Sequence, residues 1–252
     1  FILKNKISMQ NYEFDYNHYK MKINKKSKYS ICIMSLLILI LLGIAFFIYP
    51  KNHKTTEFYF VEIKSFVTYN EANNLATSIQ SMGGAGYVYY DGYYHVLAAY
   101  YPNEKDAKKV CENLKAEYDT VKVFTLTTDK FSKSNSLSTQ ENNTIREMID
   151  ANLTLIDQVY TNIIAYDTSS INESQLLMNL ENIKTDFKNK YDGYLSDFKQ
   201  NDKFTKSIKY LNKILTSTDN FKSICSDQQI SYKIKYELIK IVINHSSFLA
   251  SL

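Results

Sequence analysis

The chain has 252 residues, with 30 Lys+Arg against 26 Asp+Glu and a formal charge of +4. That near balance excludes the basic footprint of a nucleic-acid binder, and 2 Pro with 6 Gly exclude a collagenous or low-complexity chain. The cysteines Cys32, Cys111 and Cys225 are too few and too scattered for a disulfide framework or a zinc site, and read as small buried hydrophobes.

Residues 1–28 carry Lys4, Lys6, Lys20, Lys22, Lys25, Lys26 and Lys28 against Glu13 and Asp15, and read as a disordered cytoplasmic tail. The sequence opens on Phe1, with Met9 and Met21 as candidate starts. Over 29–50 the spacing predicts a transmembrane helix. Ile31 to Tyr49 is uncharged and closed by Pro50, close to the roughly 20 apolar residues that cross a bilayer core. The run is longer than a signal-peptide core, and no small-x-small cleavage site precedes Pro50. The preceding lysines orient the N-terminus to the cytoplasm and place everything after Pro50 outside, on a single-pass membrane anchor.

Residues 57–128 contain a pattern that occurs twice. Tyr59, Val61, Ile63 and Phe66 correspond to Tyr94, Val96, Ala98 and Tyr101, and Glu71-Ala72 to Asp106-Ala107. Each copy alternates with period 2 and then changes to helical spacing, which predicts a strand followed by a helix. Phe58–Phe66 is the first strand. A helix capped by Asn70 follows, with Ala72, Leu75, Ala76, Ile79 and Met82 on its apolar face and Gly83-Gly84 at its end. Tyr87–Tyr90 and Tyr93–Tyr101 are strands joined by a two-residue Asp91-Gly92 turn. A helix capped by Asn103 comes next, and Val121–Thr127 is the last strand. The order βαββαβ implies a four-stranded antiparallel sheet with both helices on one face and the other face open to solvent. Alternation turns Val61, Ile63, Tyr94, Val96 and Ala98 toward the helices. It turns Glu62, Lys64, His95 and Leu97 to the open face, joined by Tyr87, Tyr89, Lys122 and Phe124.

Residues 129–143 are rich in Ser, Thr and Asn and read as a linker. Residues 144–252 carry four amphipathic stripes: Ile145 to Ile163, Leu176 to Phe198, Phe204 to Ile224 and Ile230 to Phe248. Short connections between them predict an antiparallel helical bundle. The fold class is therefore α+β: a transmembrane helix, the βαββαβ domain, then an all-α bundle. His18, His53, His95 and His245 have no Asp, Glu or Cys neighbour at metal-ligand spacing, and no nucleophile elbow or phosphate loop occurs. Binding without a cofactor or metal, rather than catalysis, is expected.

The sheet-forming segment resembles the SPOR domain, a bacterial septal-targeting fold that binds peptidoglycan glycan strands stripped of their stem peptides. The resemblance rests on Tyr59-Phe60-Val61-Glu62-Ile63-Lys64-Ser65-Phe66, on Tyr94-His95-Val96-Leu97-Ala98, and on Ala72-Asn73-Asn74-Leu75-Ala76. Glu62 stands where the family has Gln, Lys64 where it has Gly, His95 where it has Arg, and Ala99-Tyr100 where it has Gly-Pro. The resemblance implies a glycan site on the open face, at Glu62, Lys64, Ser65, Tyr87, Tyr89, His95 and Leu97. It also implies a place at a division or sporulation septum; the bundle, which carries no such resemblance, is then expected to recruit or brace a protein partner. The changed polar positions leave a second reading, a SPOR-like scaffold that mediates protein–protein contact and binds no glycan.

Overall fold

The first strand shows why this chain needs more than a two-layer domain. In β1 (Thr56–Phe66), Phe60, Val61, Glu62 and Ile63 are all buried in succession, so the strand is covered on both faces. The computed structural model describes residues 56–129, 131–223 and 230–252. After β1 come α1 (Tyr69–Ser81), β2 (Tyr87–Tyr90), β3 (Tyr94–Tyr101), α2 (Glu104–Leu114) and β4 (Lys122–Thr128). The strands pair antiparallel in the order β2-β3-β1-β4.

The helices α1 and α2 cover one face. Val61, Ile63, Val96 and Ala98 meet Ala72, Ala76, Ile79 and Cys111 in a core of small and branched side chains. Thr68, not Asn70, caps α1, its hydroxyl accepting from the Glu71 N–H at 3.4 Å, whereas Asn103 caps α2 as expected, accepting from Asp106 N–H at 2.9 Å. Gly86 has φ +54°, and a Cβ there would lie 2.2 Å from the Ala76 carbonyl oxygen, so the return from α1 into β2 requires glycine. Tyr90 pairs with Tyr94, which makes the hairpin loop three residues long rather than two.

Four more helices follow: α3 (Thr139–Asp167), α4 (Glu173–Phe198), α5 (Thr205–Ser223) and α6 (Ile230–Leu249). Ser138 and Asn172 form capping boxes with Glu141 and Gln175 at the starts of α3 and α4. The segment ahead of α3 is tied down by the buried Asn142. Its side-chain oxygen accepts from Ser134 N–H, and its amide group lies within hydrogen-bond distance of the carbonyls of Ser134, Leu137 and Ser138. On α4 the buried residues are Leu176, Leu180, Ile183, Phe187, Tyr191, Tyr194 and Phe198, a single helical stripe.

Helix α6 differs from the other three. Ile234, Leu238, Ile239, Ile241, Val242, His245, Phe248 and Leu249 are all buried, a stripe about half the helix wide, and no residue from Ile230 to Leu249 is exposed. A helix with so broad a buried surface must be covered from more than one side. It packs against α5 and α3 on one side and against the second face of the sheet on the other. Phe58, Phe60, Leu97 and Tyr100 from the sheet therefore share one core with the bundle. The described residues form one compact unit.

Two expectations about architecture change. The sheet face expected to be open is covered by the bundle. No described helix is long and apolar enough to cross a membrane, which corrects the expected transmembrane class. Even α6, 20 residues long, carries Lys233, Lys235, Glu237 and Lys240. The segment 29–50 and the tail 1–28 lie outside the described residues.

Because sheet and bundle share a core, Leu97→Ala should cost about 2–5 kcal/mol and shift one common transition. Urea unfolding followed by far-UV circular dichroism and by tyrosine fluorescence should give coincident curves. Separate melting of the helical signal would contradict a shared core.

Candidate functional site

The residues expected to form an open glycan site take three different positions. Leu97 is fully buried in the shared core. Tyr87 packs on Tyr236 of α6, with ring centroids 5.0 Å apart. Burial, and then the neighbouring Tyr236, push the Tyr87 phenol up from its ordinary value of 10.0 to about 12. Burial similarly raises the Tyr100 phenol, which lies on the same side of the sheet and meets Tyr160 of α3 edge-on at 6.0 Å.

Glu62, His95 and Tyr89 come together, but beneath the bundle. Glu62 is 0% exposed and His95 8%. One oxygen of Glu62 lies 3.2 Å from His95 Nδ1 and 3.5 Å from Lys122 Nζ, and neither contact has hydrogen-bond geometry. The other ring nitrogen, His95 Nε2, is 2.8 Å from Asp91 Oδ1 in the hairpin loop. Phe124 lies over the imidazole at 4.8 Å and Tyr89 at 6.2 Å. With the imidazole protonated, the two carboxylates and two cations balance, which is the condition for holding charge inside an apolar layer. Burial acts against the charge of Asp91, but hydrogen bonds from His95 and the Tyr93 backbone outweigh it and hold its carboxyl below the usual range. This contribution to stability is present above the unfolded carboxylate range and is lost as pH falls through the lowered value.

Lys64 and Ser65 are displaced by a bulge. The pairing of β1 with β3 shifts twice, between Val61 and Glu62 and again between Glu62 and Lys64, and beyond the bulge Lys64 sits opposite Val96, Ser65 opposite His95 and Phe66 opposite Tyr94. Lys64 then lies beside Phe66, its Nζ 5.3 Å from the ring centroid, and Phe66 packs toward the α1–α2 core. Strict alternation had placed Lys64 with Glu62, and one extra residue reverses that. The covered face was legible in another way. Phe58, Phe60, Leu97, Phe124 and Leu126 all fall on it, and an apolar row on both faces of a strand signals two-sided burial.

Two outcomes test this arrangement. Glu62→Ala removes the anion between His95 and Lys122 and should cost about 3–5 kcal/mol, measured by urea unfolding at neutral pH. The neutral form of Tyr87 stabilises the fold fully below pH 10, and that contribution is lost as pH rises through about 12. Tyr87→Phe should therefore make the alkaline limb of stability against pH shallower.

A search of curated proteins and of solved structures finds no match to the chain. Residues 55–121, from the start of β1 to the edge of β4, match the family model of the SPOR domain, a segment of the larger unit described above.

Proposed function

We propose that the protein binds peptidoglycan glycan strands at a division septum, outside the cytoplasm, and that it acts by binding rather than by catalysis. The observation that carries this reading is the SPOR family match over residues 55–121, since that domain points to septal peptidoglycan. The helical bundle braces the domain: its α6 packs on the sheet, and Lys235 both donates to the Gly83 carbonyl at 3.1 Å and pairs with Asp167 at 2.7 Å. A septum formed in sporulation offers the same polymer and is a finer version of the same proposal.

One observation favours the second reading, a scaffold that binds no glycan. The face carrying Glu62, His95 and Leu97 is filled by the protein's own helices. The readings separate by co-sedimentation of residues 53–252 with purified sacculi, before and after an amidase strips the stem peptides. Enrichment on the stripped sacculi is the expected result. Equal, background-level sedimentation on both forms would favour the scaffold.

A further inference from the structure

With one sheet face under α1 and α2 and the other under the bundle, the exposed aromatic side chains of the SPOR domain collect at one end of the sheet. Tyr69 is 53% exposed, Tyr90 60% and Tyr93 58%. They surround a row that crosses three strands. Tyr90 of β2 pairs with Tyr94 of β3, and Tyr94 pairs with Phe66 of β1. The rings of Tyr90 and Tyr94 lie 4.6 Å apart at 37°, and Tyr69, at the start of α1, meets Tyr94 nearly edge-on at 5.7 Å. The row lies on the side of the sheet that carries α1, just where that helix begins. Strands are spaced by about 4.8 Å, so three neighbouring rings make a strip long enough for more than one sugar.

We propose that this strip, Phe66, Tyr69, Tyr90 and Tyr94 with Lys64 at its end, is the surface that holds the glycan; the proposal rests on the glycan-binding reading above. An aromatic ring has a negative face, and the flat side of a pyranose presents C–H groups with slight positive charge, so the two stack. Tyrosine adds a hydroxyl at the rim for the sugar's own hydroxyls and amides; Tyr69 already donates to Asn73 at 3.2 Å. The charge also fits. Removal of a stem peptide frees a lactyl carboxylate on the sugar, and Lys64 is an exposed cation at the Phe66 end of the row. Asp91, the nearest acid on the hairpin loop, is turned away to His95. The bulge in β1 is what brings Lys64 to this side, so the departure from strict alternation builds the site.

The test uses residues 53–252 and stripped sacculi. The variants are Tyr69→Ser with Tyr90→Ser, Lys64→Glu, and a lock made by joining Tyr87→Cys to Tyr236→Cys in a Cys111→Ala, Cys225→Ser background. Circular dichroism confirms that each folds. The tyrosine pair should weaken binding about tenfold or more, as expected for losing two stacked rings. Lys64→Glu should weaken it too, and more at low salt. The locked protein, whose sheet face cannot open, should bind like wild type. Wild-type binding that survives the tyrosine and lysine changes, or that vanishes on locking and returns on reduction, would overturn the strip while leaving glycan binding intact. Wild-type protein that does not sediment would remove the parent reading, and the strip with it.

Discussion

The packing of α6 into the second face of the sheet is the contact on which the rest of the structure depends. An antiparallel sheet with helices on one side can leave its other side to water, but only if that side is polar. Here it carries Phe58, Phe60, Leu97 and Phe124. Neither the sheet nor α6 could expose such surface alone, and each supplies the other's cover. Because α6 also packs against α5 and α3, the contact merges what would otherwise be two cores.

That merger explains where charge can reside. The Glu62–His95–Asp91–Lys122 cluster sits at the margin of the shared layer, and its lysine and aspartate lead outward to solvent. A group such as Glu62 is costly in an apolar layer unless polar partners face it, and here the His95 imidazole on β3 and the Lys122 ammonium on β4 do so. The cluster fixes which side chains meet across the sheet more than it adds stability. The same margin separates a surface given over to internal packing from the hairpin end, where aromatic rings still meet water.

Much of this was readable from the sequence. The repeated strand–helix pattern located β1 and β3, the segments outside the repeat gave β2 and β4, and the stripe on α4 from Leu176 to Phe198 is buried as its spacing demands. On α3 Ile145, Ile156 and Ile163 of the expected stripe are buried, but Met148, Asn152, Leu155 and Val159 are buried beside them while Ile149, Leu153 and Tyr160 are only partly so. Hydrophobicity alone cannot settle such a choice when apolar residues lie on adjacent faces. Two site features were not legible for distinct reasons. A bulge changes side-chain direction without changing composition, so Lys64 was assigned to the wrong face. The apolar row of Phe58, Phe60 and Leu97 signals that this face needs cover, but the cover is α6, remote in sequence, and period-2 alternation within a strand does not identify so distant a partner.

The position of α6 in the chain has a consequence for biosynthesis. The sheet is complete in sequence at Thr128, yet the helix that covers its aromatic face begins only at Ile230. During synthesis the nascent domain therefore presents Phe58, Phe60 and Leu97 to its surroundings while the intervening helices are still being made. Contacts this far apart in sequence form slowly, and uncovered sheets are prone to join their neighbours. The chain must pass through an interval in which this aromatic β-surface has no cover of its own.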